Sequence, residues 1–194
     1  MNIIEGVIIN DSFLESIAIN LHEEAKQAID GHRFKKIIPA MAFYCFTLES
    51  KLLTYGKSVF PKAQYKKYLN ATLIGKFEWL SNRLKVPNVE PILKCKETIS
   101  EMVAFRNAVT HSKNIDYKEE RKLIGLELFD DRFVTIYESE NDFMASSTLE
   151  KLDAFSKAIM ILDRVWFIDG KKYFKEQLSS LPIHSTRARV INRN

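Results

Sequence analysis

The run Ala40-Met41-Ala42-Phe43-Tyr44-Cys45-Phe46 is apolar on nearly every side of a helix. A helix with one apolar stripe lies on the surface of a core; one that is apolar nearly all round must be enclosed by other elements. The chain therefore has to surround this segment, and it supplies further helical patterns to do so. The central helix is expected over Phe34 to Tyr55, closed by Gly56. Pro39 lies near its start, where proline is tolerated, or marks the true first turn.

Five other segments repeat their apolar residues at helical spacing. Asp11 to Asp30 has Phe13, Leu14, Ile17, Leu21, Ala25, Ala28 and Ile29 as its stripe. Ser12 and Glu15 have the spacing of a capping box, and Gly31 is a natural stop. His22 and His32, on or just past this helix, have no metal-ligand partner nearby in sequence and read as surface residues. Pro61 to Asn70 is a short basic helix in which Lys62, Lys66 and Lys67 alternate with Tyr65 and Tyr68. Such interleaving either grips nucleic acid, by phosphate contact and base stacking, or is an ordinary exposed face. Ala71 to Lys85 follows, with Leu73, Ile74, Phe77, Leu80 and Leu84 on one face and Pro87 beyond it. Asn88 is the expected N-cap of the next helix, whose buried side is Ile92, Leu93, Cys95, Ile99, Met102, Val103, Phe105 and Val109. Ser147 and Glu150 form a second capping-box spacing, opening a last long helix to about Ile168 that Gly170 stops; Lys171 to Leu181 is read as a separate short helix.

Between the last two long helices the period changes. Residues 112–122 are mostly polar, and then Leu126, Leu128, Phe133, Thr135 and Tyr137 alternate with their neighbours around Asp130-Asp131. Alternation about a turn signal predicts a β-hairpin over about 123–138, with a third short strand near Asp142–Ala145. Residues 1–10 are read as a short strand or an arm packed on the bundle. From Pro182 onward the chain is polar and basic, the composition of a flexible tail. The expected fold is mainly α: one domain over 1–181 of about five to six helices, with the hairpin inserted at about 123–145, then a basic tail over 182–194.

Composition narrows the function classes. A chain of 194 residues with 46% apolar content can bury one sizeable core. A net charge of +4 permits an anionic partner without requiring one. Cys45 and Cys95 lie inside apolar helical patterns and read as buried hydrophobes of a reducing compartment. There is no CxxC or Cys/His cluster for zinc, no Gly-rich phosphate loop and no paired-carboxylate metal motif. The N-terminal stretch lacks the basic flank of a signal peptide, and no apolar run approaches the ~18–20 residues of a membrane span. A cytoplasmic protein without a membrane partner, cofactor or metal is expected.

The most chemically loaded stretch is Arg106-Asn107-Ala108-Val109-Thr110-His111, at the end of the helix that begins near Asn88. Asn107 and His111 are four apart and share a helix face. Arg106 lies one position round, with a side chain long enough to reach the same groove. Arginine is a permanent planar cation suited to phosphate, and histidine exchanges protons near neutral pH. A helix C-terminus favours protonated imidazole, which suits a proton donor to a leaving oxygen.

These six residues resemble the R-x(4–6)-H motif of the HEPN superfamily (higher eukaryotes and prokaryotes nucleotide-binding domains), in which a polar residue, often Asn, follows the arginine. The family comprises compact all-α domains, many of them metal-independent ribonucleases of toxin–antitoxin and phage-defence systems. The resemblance implies a homodimer in which two copies of the motif meet across a cleft. His111 from each subunit would act as base and acid, and Arg106 would hold the scissile phosphate. Asn107 would bond the histidine or the phosphate. Attack by the substrate's 2′-hydroxyl would leave a 2′,3′-cyclic phosphate and a 5′-hydroxyl. Glu49, in a phrase similar to one many HEPN domains carry, is a candidate to orient Arg106, and Lys113 a candidate for substrate binding. Some family toxins carry a tyrosine two residues after the histidine that a partner nucleotidyltransferase modifies; Lys113 occupies that place, so no such partner is assigned. The expected partners are RNA, a second copy of the chain, and an antitoxin or defence-system component.

Two other readings stay open. Arg106 pairs with Glu49 or Glu101 and His111 merely caps its helix, which makes the protein a helical scaffold or interaction module. Alternatively, the domain binds RNA or nucleotide without cutting.

Overall fold

A computed structural model describes residues 3–7, 11–29, 34–110, 147–178 and 187–191. Among these residues the fold is mainly helical. Strand β1 (Ile3–Val7) precedes helices α1 (Asp11–Gln27), α2 (Phe34–Val59), α3 (Lys62–Leu69), α4 (Leu73–Leu84), α5 (Glu90–Thr110) and α6 (Leu149–Leu178), and strand β2 (Arg187–Ile191) follows. The hairpin expected over 123–145 lies outside the described residues. Residues 187–191, expected as flexible tail, pair antiparallel with β1 in the register Ile3↔Ile191 to Val7↔Arg187. The register sets Ile3 opposite Ile191 and Ile4 opposite Val190, apolar positions within a stretch whose basic composition reads as tail.

Helix α2 packs against all five other helices. Its residues Ala40, Met41, Tyr44, Cys45, Leu48 and Leu52 are buried on one broad face, whereas Ala42 and Phe43 are half-buried and Phe46 is exposed, so the run that reads as apolar nearly all round is not enclosed on every side. Trp166 of α6 is fully enclosed, with its ring against Tyr55 of α2 and Phe77 of α4. Phe105 of α5 meets Phe155 of α6 edge to face, so the motif helix is anchored to α6 as well as to α2.

Several boundaries differ from those expected, each for a physical reason. Helix α2 continues through Gly56 to Val59. Gly56 is a point of close approach, because a Cβ there would stand 2.3 Å from Cε1 of Tyr68. Pro39 sits inside α2, five residues after its start, and forfeits one ladder bond there without ending the helix. Helix α6 likewise runs through Gly170 as one element of 30 residues, so Lys171 to Leu178 continue it rather than form a separate helix. Its cap is Thr148 rather than Ser147, since the Lys151 amide donates to Thr148 Oγ1 at 3.2 Å. Helix α4 is capped by Thr72, whose Oγ1 accepts from the Gly75 amide, and is followed by Lys85 in the left-handed region (φ 57°).

The inward face of α1 differs most. Asp11, Ala18, His22 and Ala25 are its buried residues, while Phe13 is 68% exposed. Asp11 Oδ1 accepts from the Ser12 amide. Glu15 does not close a capping box; it turns to Lys51 of α2, with 3.0 Å between charged atoms. Lys51 is only 1% exposed and also lies 3.3 Å from Asp163 of α6, which accepts a 2.6 Å bond from the Tyr55 hydroxyl. Burial alone would push the Lys51 ammonium down, but Asp163 and Glu15 outweigh it and its pKa is raised. His22, expected at the surface, is buried between the Tyr44 hydroxyl at 3.1 Å and Asp153 Oδ1 at 2.9 Å. A polar seam thus joins α1, α2 and α6, where a purely apolar contact was anticipated.

Candidate functional site

The site is built where α5 crosses the exposed side of α2. Ile99, Met102 and Phe105 hold the buried face of α5. That leaves Arg106 at the edge of the core, one position round from Phe105. Its guanidinium Nη2 lies 2.9 Å from Glu49 Oε1, and its Nη1 donates to Asn107 Oδ1 at 3.1 Å. The carboxylate that meets Arg106 is therefore Glu49 of α2 and not Glu101, which is exposed on α5. The Arg106 Nε is buried without a hydrogen-bond partner among the described residues. Thr110 Oγ1 donates back to the Arg106 carbonyl at 2.8 Å and closes the last turn of α5.

Beside Arg106 is a shallow, mostly apolar pocket whose other walls are Cys45, Leu48, Leu73, Met102 and Val103. The Cys45 thiol donates to the Met102 carbonyl at 3.3 Å. Burial, reinforced by Glu49 and opposed by Arg106, pushes that thiol up to about 12, so it stays neutral and is no nucleophile at ordinary pH. Among the described residues no group of three His, Cys, Asp or Glu side chains could hold a metal ion. No described helix is long and apolar enough to cross a membrane.

Of the five candidate residues, Arg106, Asn107 and Glu49 come together at one place. His111 and Lys113 lie outside the described residues, immediately past the end of α5. The ion pair is a weak one by its surroundings: the side chains of Arg106 and Glu49 are 36% and 31% exposed. Pairs so open to water contribute about 0–1 kcal/mol, because hydration competes with the contact. An incoming oxyanion can therefore compete with Glu49 for the guanidinium at small cost. In chemical terms the arrangement is an exchangeable arginine cation at the lip of an apolar depression.

The basic helix α3 is less open than its sequence implied. Tyr68 is fully buried, and its hydroxyl donates to the Leu52 carbonyl at 2.7 Å. Tyr65 is half-buried and stacks on Tyr68, while Lys62, Lys66 and Lys67 are exposed. The groups that sequence reasoning missed are those of the polar seam. Their signal was the spacing Asp11, Glu15, Ala18, His22 and Ala25, polar or small residues at helical period.

Compared with known family models, curated proteins and solved structures, the chain matches none. The class that fold and site define is a mainly helical protein with a half-buried, carboxylate-held arginine near the end of a helix packed on the core.

Proposed function

We propose that the protein is a metal-independent endoribonuclease of HEPN type, cutting RNA through its 2′-hydroxyl at a cleft between two copies of the chain. The observation that carries this reading is the Arg106 guanidinium held by Glu49 and Asn107 at the pocket lip, with the chain leading directly from it to His111. Arg106 exchanges Glu49 for the scissile phosphate and stabilises the charge that develops there. His111 of one copy takes the 2′-hydroxyl proton, and His111 of the other protonates the departing 5′-oxygen. A two-fold arrangement supplies both roles from one motif. Asn107 holds the arginine's orientation, and Lys113 contributes a cation for substrate binding. An activity that cuts RNA without a cofactor suits a toxin or phage-defence component kept in check by an antitoxin or defence-system partner.

A second reading is favoured by the same ion pair. If Glu49 keeps the guanidinium, the domain is a non-catalytic RNA-binding or protein-interaction module. The deciding experiment is RNA cleavage in EDTA by wild type, Arg106→Ala and His111→Ala. The nuclease reading requires that wild type cuts, that both variants lose at least a hundredfold in rate, and that the products end in 2′,3′-cyclic phosphate. Intact RNA with wild type, or equal cutting by the variants, refutes it.

A further inference from the structure

The exposed side of α2 does not end at the Arg106 contact. Leu53 lies one turn beyond Glu49, about 6 Å along the helix axis, and Lys57 lies one turn beyond that. Leu53 is 38% exposed, and its carbonyl is 3.4 Å from the Tyr65 hydroxyl of α3. Leu69, the last residue of α3, is 41% exposed. Leu73, which opens α4 just after α3, is itself a wall of the Arg106 pocket. Leu73 thus borders Arg106 on one side, and on α2 the helical spacing from Glu49 leads to Leu53 and so to Tyr65.

Apart from Glu49, which is paired with Arg106, the charges named along this strip are positive. Helix α3 carries three lysines and no carboxylate. Helical spacing sets Lys62 and Leu69 on either side of Tyr65 along one ridge, with Lys66 beside them, while Tyr68 faces the core. Among the described residues no ion pair holds Lys57, Lys62 or Lys66. Tyr65 meets Tyr68 at a ring separation of 6.0 Å and an interplanar angle of 23°. That contact fixes its ring as a platform while leaving the residue half-exposed.

We infer that this strip is a track for single-stranded RNA: Lys62 and Lys66 bind phosphates, and the Tyr65 ring stacks a base flanking the phosphate held by Arg106. The inference rests on the ribonuclease reading for the identity of the Arg106 ligand, but its own test does not depend on cleavage. Cations alone would accept any polyanion. An aromatic platform and exposed leucines among them fit a strand whose base faces are free, which a duplex hides. The strip also gives the enzyme a hold on substrate that a single arginine lacks.

The test is binding of a 2′-O-methyl oligoribonucleotide, which cannot be cut by its own 2′-oxygen, measured by fluorescence anisotropy in EDTA. Lys62→Ala/Lys66→Ala is expected to weaken binding about tenfold and to reduce the slope of log affinity against log salt by about 1.4, the value for two phosphate contacts on a single strand. Tyr65→Leu is expected to weaken binding about tenfold, with Tyr65→Phe restoring it, because stacking needs the ring and not the hydroxyl. Lys35→Ala, at the far end of α2, is expected to change nothing. Unchanged affinity and salt slope in the lysine variant overturn the inference even if wild type cleaves RNA, and leave the nuclease reading standing. Equal losses in Tyr65→Leu and Tyr65→Phe overturn the stacking role. No binding by wild type, or binding only to phosphatidylserine vesicles, overturns the track altogether.

Discussion

Gly56→Ala sets a helix-propensity gain against a packing clash. In an exposed helix interior, alanine in place of glycine gains about 1 kcal/mol. At position 56 the new methyl would lie 2.3 Å from Cε1, 2.7 Å from Cζ and 3.0 Å from Cδ1 of Tyr68. Carbon atoms in ordinary contact sit about 3.5–4.0 Å apart, so the ring must retreat by more than ~1 Å. It has little room, being fully buried with Phe60 at 4.9 Å and Trp79 at 6.4 Å between ring centres. Its hydroxyl is also tied to the Leu52 carbonyl at 2.7 Å, one turn before the substituted position. Overpacking of this kind costs about 1–3 kcal/mol, and a buried hydroxyl pulled off its acceptor about 1–3 more. After the propensity gain, the expected net loss is about 1–5 kcal/mol; its centre, about 3 kcal/mol, is a fall of roughly 6–12 °C in Tm for a chain of this size. Urea and thermal unfolding followed by circular dichroism read it directly. Gly75→Ala is the comparison: its methyl meets only Thr72 Oγ1 at 3.1 Å and the Ala71 methyl at 3.5 Å, and stability should stay within about 0.5 kcal/mol. The reasoning is refuted if Gly56→Ala is as stable as wild type, or if its cost is undiminished in a Tyr68→Leu background.

Two further outcomes are expected. Lys51→Met leaves Glu15 and Asp163 facing each other without their cation, and should cost about 2–4 kcal/mol in urea unfolding, short of the upper figure for buried pairs because both carboxylates keep some water; replacing all three with uncharged residues should recover most of it, and failure to recover would mean that Lys51 acts through packing. Raised pH should weaken the fold. Burial holds the Cys45 thiol at about 12 against an ordinary 9.0, and likewise raises the hydroxyls of Tyr44, Tyr55 and Tyr68 above 10.0. Above those ordinary values the unfolded chain gives up protons that the folded one keeps, so stability that is complete below pH 9 declines as pH climbs from 9 through 12; a urea midpoint that stays flat between pH 8.5 and 11 would contradict this.

The helices were legible because each has to show a 3.6-residue period to bury a face, but residues 40–46 overstate the enclosure of α2, whose Phe46 is exposed. Boundaries were less so. Gly56 and Gly170 read as stops, since glycine is common just past helix ends, but at Gly56 the absent Cβ serves the Tyr68 ring instead. Ser147 and Thr148 are both competent caps one residue apart, and only the Lys151 amide distinguishes them. The inward face of α1 was legible in part, at Leu21 and Ala25, but Phe13 is exposed and His22 is buried because the surface α1 meets displays Tyr44, Lys51 and Asp153. Which face of a helix turns inward depends on its neighbour's polar groups, and these are invisible within a window of one helix. The Arg106 contact was legible only as a choice between Glu49 and Glu101. Three-dimensional crossing of α5 over α2 selects the carboxylate 57 positions away over the one on the same helix.

Glu49 and Lys51 stand two residues apart on α2, about 200° round the helix, and their ion pairs have opposite physics. Lys51 is withdrawn from water, and two carboxylates from two different helices converge on it. Taking that cation away strands charge at a partly buried contact, so the seam fixes how α1 and α6 register against α2. Glu49 and Arg106 are each about a third exposed, and water stabilises the separated ions nearly as well as the contact does. The first pair is therefore a fixture of the fold, and the second can open without disturbing it. On the proposed reading this division lets one helix anchor the bundle on its inner side while its outer side presents an arginine that a phosphate can claim. The same division predicts the signature that separates the two roles: substitutions at Lys51 should move the unfolding midpoint, whereas Glu49→Gln should leave it nearly unmoved and tighten RNA binding by removing the competitor for Arg106.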